Sequence, residues 1–355
     1  MLTNTADLIS QASRKPLRTR RHVKWLSTFA ILVLVLVPVA GRGQAFRDAT
    51  ATPTATATLW KDPGDIRARD LYYGVGGKED EPRGAMTFLK EDMGGTQPKF
   101  DARDEAGRKW KAKLGVEAQP ETVATRLLWA VGYFANENYY LKVVEVNGLP
   151  KHLHRGQNFA TSDGTVKGAR LQRHPKDYKK AGDWSWKHNP FRGQREFNGL
   201  RVMMALIDNW DLTHKNNAVF EDRDSGEVMY EVSDVGASFG PPGQSYTNKK
   251  SKNNLDAYGR KKFISKITPK YVDFNFPTHP PLLYFFDLPL FFGGVSHHWI
   301  GKHIPRQDAK WVGSLLAQLS HEQICNAFRA AGYTPEQVEA YSAAVQARID
   351  SLNRL

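Results

Sequence analysis

Asp211 is followed five residues later by Asn216 and then, beyond a short apolar stretch and a polar turn, by Asp234-Val235-Gly236. Two carboxylates and an amide oxygen are what phosphoryl transfer asks of a protein. One carboxylate orients an attacking hydroxyl and can take its proton, while the amide oxygen and the other carboxylate hold Mg²⁺ against the phosphates. Earlier in the chain, Gly94-Gly95 would let backbone amides approach phosphates closely. Lys111 and Lys113 offer cations for the same phosphates, and Glu121 offers a carboxylate to hold one of those lysines in place. Each residue alone has a plainer reading. Asn216, Asn217 and Gly236 suit turns, Asp211 suits a cap, and the lysines and Glu121 suit a solvated strand and a helix start. Asp-x4-Asn arises often by chance; the whole ordered series is much harder to obtain.

These groups need elements to position them. Residues 86–90, 99–103 and 108–114 read as three antiparallel strands. Gly94-Gly95 joins the first two, and Glu105-Ala106-Gly107 makes a hairpin turn where glycine takes positive φ readily. A helix comes next, with Pro120 at its first position and Glu121 at the positive end of the dipole. Val123, Leu127, Leu128 and Val131 keep its apolar period, and Gly132 closes it. Residues 139–146 and 165–171 read as further strands. Residues 195–209 carry Leu200, Val202, Met203, Met204, Leu206 and Ile207, a mostly buried helix that runs into the Asp211 loop. Strands at 218–220 and 229–232 flank a polar turn, so a hairpin brings Asn216 and Asp234 together although 18 positions separate them. The tail reads as helices over 309–319, 323–331 and 334–355. Ser320-x-x-Gln323 and Thr334-x-x-Gln337 form capping boxes for the last two.

A strand, a glycine turn, two strands and a helix, with a lysine ending the third strand and a glutamate in the helix, is the layout of a kinase small lobe. Gly95-Thr96-Gln97-Pro98-Lys99-Phe100 resembles the Gly/Ser-x-Gln-Pro-Lys turn of HipA-type serine/threonine kinases. Asn209-x-Asp211-x-x-His214-Lys215-Asn216 resembles their catalytic loop, Asn-x-Asp-x-His-x-Lys-Asn, with the Asp-to-Asn spacing kept and the His shifted by one. That loop and Asp234 are also similar to phosphoinositide kinases and other atypical members of the kinase-like superfamily. The similar motifs spread over about residues 86–240.

The resemblance implies an α+β, two-lobed protein-kinase-like fold, with a small antiparallel-sheet lobe over 71–174 and a mostly helical large lobe over 175–355. It implies Gly94 and Gly95 at the nucleotide and Lys113 on its phosphates, with Lys111 as runner-up. Glu121 would pair with that lysine, and Glu117, placed in a loop, is the alternative. Asp211 would be the catalytic carboxylate; Asp208 is a rival that lies too far from Asn216 for the pattern. Asn216 and Asp234 would hold Mg²⁺, and His214 would touch the transferring phosphate. ATP or another nucleotide and Mg²⁺ are the implied cofactors, and a hydroxyl on a protein or small molecule is the implied acceptor.

Charge and composition bound these readings. The chain has 355 residues, a net charge of +13, 41% hydrophobic residues and a single cysteine, Cys325. A disulfide scaffold and full-length disorder are excluded. Residues 1–45 hold seven basic residues against Asp7 alone, a charge of +6, which leaves +7 for residues 46–355. The basic stretch Arg14–Lys24 precedes an apolar run over 25–41, whose core of 15 residues is short for a relaxed membrane span. This segment is expected to be an export signal, or else a membrane tether. Thr19-Arg20-Arg21 partly resembles a twin-arginine signal. The folded part is then expected outside the cytoplasm. Residues 46–70, with the Thr/Ala/Pro tract at 49–58, read as a linker. Export raises the weight of an alternative function, a pseudokinase or ligand-binding module without catalysis. The modest +7 favours an anionic ligand and gives no reason to expect nucleic acid.

Other features find a place around this frame. Trp184, Trp186 and Phe191 with Lys179, Lys180, Lys187 and Arg192 form a basic aromatic patch, read either as an anionic contact beside the cleft or as a packed loop. Lys249, Lys250, Lys252, Arg260, Lys261 and Lys262 lie where a kinase carries its activation or substrate loop. His152, His154, His297, His298 and His303 lack a cysteine or acid at zinc spacing. Phe285–Phe292 reads as core, and Cys325 as buried and inert.

Overall fold

The computed structural model describes residues 56–173, 178–240, 252–276 and 297–355. The expected signal or tether over 1–45, residues 46–55 of the expected linker, the lysines 249 and 250, and Phe285–Phe292 lie outside the described residues. Among the described residues, no helix is long and apolar enough to cross a membrane.

The described chain opens with β1 (Ala57–Thr58). Five strands then close a barrel: β2 (Met86–Asp92), β3 (Lys99–Arg103), β4 (Lys109–Leu114), β5 (Glu137–Asn147) and β6 (Thr165–Arg173), ordered β2-β3-β4-β6-β5. The expected meander β2-β3-β4 is present, and β5 closes the ring by pairing in parallel with β2. Closure removes the unpaired edges that an open meander would expose. Side chains alternate along β4, so burying Trp110, Ala112 and Leu114 inside the barrel sends Lys111 and Lys113 to its outer face.

Between β4 and β5 runs α1 (Ala118–Ala130). It starts before Pro120, with Glu117 at its N-cap, which corrects the expectation that Glu117 lies in a loop. Proline in the first turn costs no hydrogen bond, because that N–H has no partner within the helix. Gly132, at φ +95°, ends the helix, and a Cβ there would come within 2.2 Å of the Lys61 carbonyl oxygen.

The remainder is mostly helical. It comprises β7 (Tyr178–Gly182), α2 (Arg195–Leu206), β8 (Asn217–Asp222), β9 (Val228–Val232), α3 (Leu255–Arg260), β10 (Ile264–Ile267), β11 (Tyr271–Phe274), β12 (Ile304–Pro305), α4 (Arg306–Leu316), α5 (His321–Ala330) and α6 (Pro335–Asn353). The strands form two small sheets, β1-β9-β8-β7 and β10-β11-β12. Both capping boxes, Ser320 with Gln323 and Thr334 with Gln337, are formed. Cys325 is buried on α5.

The fold is mixed α+β with two separate main cores. One fills the barrel, and the other joins α1, α2, α4, α5 and α6. Residues 57–70 belong to the second core, so the linker expectation is corrected for this part. Leu59 and Ile66 are buried in that core, β1 adds a parallel strand beside β9, and Gln323 Nε2 donates to the carbonyls of Ile66 at 2.9 Å and Arg69 at 2.8 Å. The Thr/Ala composition of 49–58 does not extend to the apolar residues beyond it.

Candidate active site

Lys113 is the penultimate residue of β4, and its ammonium meets three carboxylates. Glu121 Oε2 of α1 lies at 2.8 Å, both oxygens of Asp234 at 3.1 Å, and Glu117 Oε2 at 3.3 Å. The antiparallel register of β4 and β6 sets Arg170 opposite Lys113, and its guanidinium reaches Glu121 Oε1 at 3.1 Å. Glu121 thus sits between two cations, one from each strand. Burying such a charge is tolerable only with this pairing.

Exposure divides the cluster. The side chains of Lys113 and Glu121 are 7% and 1% exposed, whereas that of Asp234 is 42% exposed. Asp234 therefore presents the cluster to solvent. Burial alone would lower the Lys113 pKa, but Glu121 and Asp234 outweigh it, so Lys113 stays an ammonium. Burial would raise the Asp234 carboxyl, yet Lys113 and Arg170 hold it well below the usual carboxylate range.

The loop after α2 supplies the rest. Asn216 Nδ2 donates to the Asp211 carbonyl at 2.8 Å, and Asn216's own carbonyl accepts from the backbone N–H groups of Ser233 at 2.8 Å and Asp234 at 3.1 Å. The hairpin β8–β9 makes this closure possible: Asn217 pairs with Val232, one residue inside each of the two. Burial raises the Asp211 carboxyl above its ordinary 3.8, against the Asn216 hydrogen bond, with the Asp234 charge adding to the rise. Gly236 leaves no room for a side chain, since a Cβ there would stand 2.8 Å from Glu117 Cβ and 3.1 Å from Glu121 Oε2. The Asp-x-Gly glycine lets the chain pass directly beside the two glutamates.

Lys113, Glu121 and Asp234 therefore meet, and Asp211 and Asn216 adjoin them. Lys111 does not join the cluster. It pairs with Asp92 at 2.5 Å and Asp101 at 2.8 Å on the outer barrel face, apart from the carboxylates that hold Lys113. Asp208 is also elsewhere: fully buried, it accepts from Lys261 at 2.5 Å. Gly94 and Gly95 form the β2–β3 turn, Gly95 at φ +65°, and their carbonyls accept from Arg155 at 3.1 and 2.6 Å. A Cβ on Gly95 would lie 3.4 Å from Lys99 Nζ, and Lys99 feels the charges of both Lys113 and Asp234. His214 is exposed on the turn before Asn216.

The sequence matches no protein-family model and no curated protein. Solved structures do match. One is a proinflammatory kinase of Helicobacter pylori, CtkA, at 12% identity and a TM-score of 0.43, covering 76% of this chain and 97% of that one. Another is the Golgi casein kinase, at 11% identity and a TM-score of 0.34, covering 77% of this chain and 72% of that one. Both likenesses are remote, so the functional reading rests on the chain's own geometry.

Three residues of the cluster, Lys99, Arg170 and Lys252, have no site role in the sequence pattern, and a fourth, Glu117, stands there only as an alternative. Glu117 bridges Lys113 to Lys252, whose ammonium contacts Glu117 Oε1 and lies 5.2 Å from the centre of the Trp210 ring. Arg170 and Lys99 complete the cations around Glu121 and Asp234. Lys99 carries a signal as the lysine of the Gln-Pro-Lys turn, and Lys252 a general one as part of the basic segment at the activation or substrate loop. Arg170 depends on strand register and Lys252 on tertiary folding, which spacing does not show.

Proposed function

We propose that the chain transfers the terminal phosphoryl group of a nucleotide to a hydroxyl acceptor, by the arrangement of a kinase-like fold. The observation that carries this reading is the buried Lys113–Glu121 ion pair with Asp234 at 3.1 Å from the same ammonium. A cation fixed by a helix carboxylate, beside a second, solvent-facing carboxylate, is what positioning a metal-bound triphosphate requires. The resemblance to HipA-type and phosphoinositide kinases supports it through the same residues.

The donors suit Mg²⁺. Asp234 is ionised, and Asn216 commits its amide N–H to Asp211, which leaves its amide oxygen for a cation. A carboxylate and an amide oxygen are hard ligands of the kind Mg²⁺ takes. When bound, the ion would neutralise phosphate charge. Lys113 would pair with the phosphates, with Glu121 and Arg170 keeping it in place. Asp211 would accept the acceptor's proton as its oxygen bonds to phosphorus and the bond to the leaving nucleotide oxygen breaks. The β2–β3 glycine turn with Lys99 would cover the phosphates. The folded part would lie outside the cytoplasm, on the strength of the basic-then-apolar segment at its N-terminus; a reporter active only after export, fused after Leu355, tests that.

Thermal unfolding with and without Mg-ATP tests the central claim. Near-saturation at a hundredfold over Kd should add about 2.7 kcal/mol of stability. Asp234→Ala should remove the gain. No gain with any nucleotide, with or without Mg²⁺, would sink nucleotide binding. A gain without transfer to any acceptor would instead favour the binding module.

A further inference from the structure

A second cavity lies directly beside the candidate catalytic loop. It has about 420 Å³, and its walls are residues 212–215, which continue the chain from Asp211, and residues 185–187, with His297 at the side. Three of its groups are cationic or imidazole from the loop and the opposite wall: Lys187, His214 and Lys215, all exposed. Among the described residues, no carboxylate lines it.

Hydrogen bonds hold the 185–187 wall in place. Trp184 Nε1 donates to the Glu231 carbonyl at 2.8 Å, and Asn217 Nδ2 donates to the Trp184 carbonyl at 2.9 Å, which fastens the 185–187 wall to the β8–β9 hairpin. Arg192 Nη1 donates to the Lys187 carbonyl at 3.0 Å. Trp186 and Leu212, 2% and 1% exposed, form the apolar floor.

We infer that this cavity is the acceptor-side subsite and that it selects acidic polypeptides, with carboxylates flanking the hydroxyl to be phosphorylated. This inference rests on the phosphoryl-transfer reading. Cations and imidazoles, with no acid among them, complement a ligand that offers only acceptors. The lysines are exposed and spread around an open rim. A compact anion such as free phosphate is held by converging, buried donors; separated, solvated cations read charges distributed along a chain. The apolar floor of Trp186 and Leu212 suits the stems of such a chain. The Trp/Lys patch thereby divides: its indoles are packed, and Lys187 keeps the anionic role.

The test uses the full chain and three peptides, each with one serine in an alanine frame flanked by Glu, by Lys or by Ala. With Mg-ATP, kcat/KM should be at least about tenfold higher for the Glu peptide than for the Ala peptide, with the Lys peptide lowest. That preference should shrink between about 50 and about 300 mM salt, because exposed charges are screened. Lys187→Glu combined with Lys215→Glu should raise KM for the Glu peptide and favour the Lys peptide, and Lys187→Glu alone, which lies outside the catalytic loop, should do so in part while the Mg-ATP thermal gain stays. Equal use of the three peptides, or a Glu preference untouched by the double reversal, overturns the inference. Anisotropy of fluorescent versions of the same peptides separates the two readings. If no phosphoryl transfer occurs, tighter binding of the Glu peptide that the double reversal abolishes sustains the surface and sinks only the catalysis. Binding indifferent to peptide charge sinks the surface.

Discussion

At the scale of single residues, the candidate site depends on carboxylates pushed in opposite directions. Asp234, flanked by Lys113 and Arg170, is held well below the usual carboxylate range. Asp211, dominated by burial and lacking a cation of its own in hydrogen-bond contact, is raised. The first is therefore ionised near neutral pH, as a metal ligand should be. The second titrates closer to the working range, as a proton acceptor should. The rate of phosphoryl transfer should fall on the acid side with a single-proton limb above the ordinary 3.8, because protonated Asp211 cannot accept a proton. Asp211→Asn should lower kcat by about 10²–10⁴ and erase that limb. A limb that survives the substitution belongs to another group, and the assignment then fails. Lys113, Glu121, Asp211, Asn216 and Asp234 could be picked out by type and order along the sequence. Glu117 could not, because Pro120 suggested a later helix start. The sequence ranks Lys113 above Lys111, and the pairing of Lys111 with Asp92 and Asp101 could not be read there.

At the scale of elements, the strands and helices were legible where one face is apolar. The β4 alternation, the α2 apolar run and both capping boxes of the tail are local signals, and the structure contains each of them. Barrel closure was not legible, since the parallel pairing of β2 with β5 involves residues about 60 apart. The segment 57–70 was misread for a related reason. Its two-residue strand and its short helical turn are too brief to show a period, and they are held by tertiary contacts, namely the core they enter, the pairing with β9 and the Gln323 hydrogen bonds. Ile66, fully buried there, makes this testable. Ile66→Ala should cost about 2–5 kcal/mol in urea unfolding if the segment is an integral part of the core. A cost under about 1 kcal/mol would mean that the segment peels away before the rest unfolds.

At the scale of the whole molecule, the site's charges have a consequence for stability. Glu231 on β9 is buried behind the cluster, with Ser233 Oγ donating to it at 2.9 Å. Burial, aided by the Glu121 carboxylate, raises it from the ordinary 4.5 to about 7. A raised carboxyl binds its proton more tightly in the folded chain than in the unfolded one. Below about 4.5 both states are protonated and Glu231 exacts nothing. As pH rises toward 7 the unfolded chain ionises first, so folding stability falls, and above 7 the loss is complete. A gap of about 2.5 pH units corresponds to roughly 3 kcal/mol. Glu231→Gln keeps the shape and the acceptor for Ser233 but cannot ionise. It should therefore be more stable than the parent by up to about 3 kcal/mol at pH 8, and the difference should vanish as pH falls to about 4.5. Chemical denaturation of both proteins across that range measures it directly. A difference that does not change with pH would place the Glu231 carboxylate in contact with water or a cation, and its environment would have to be redrawn.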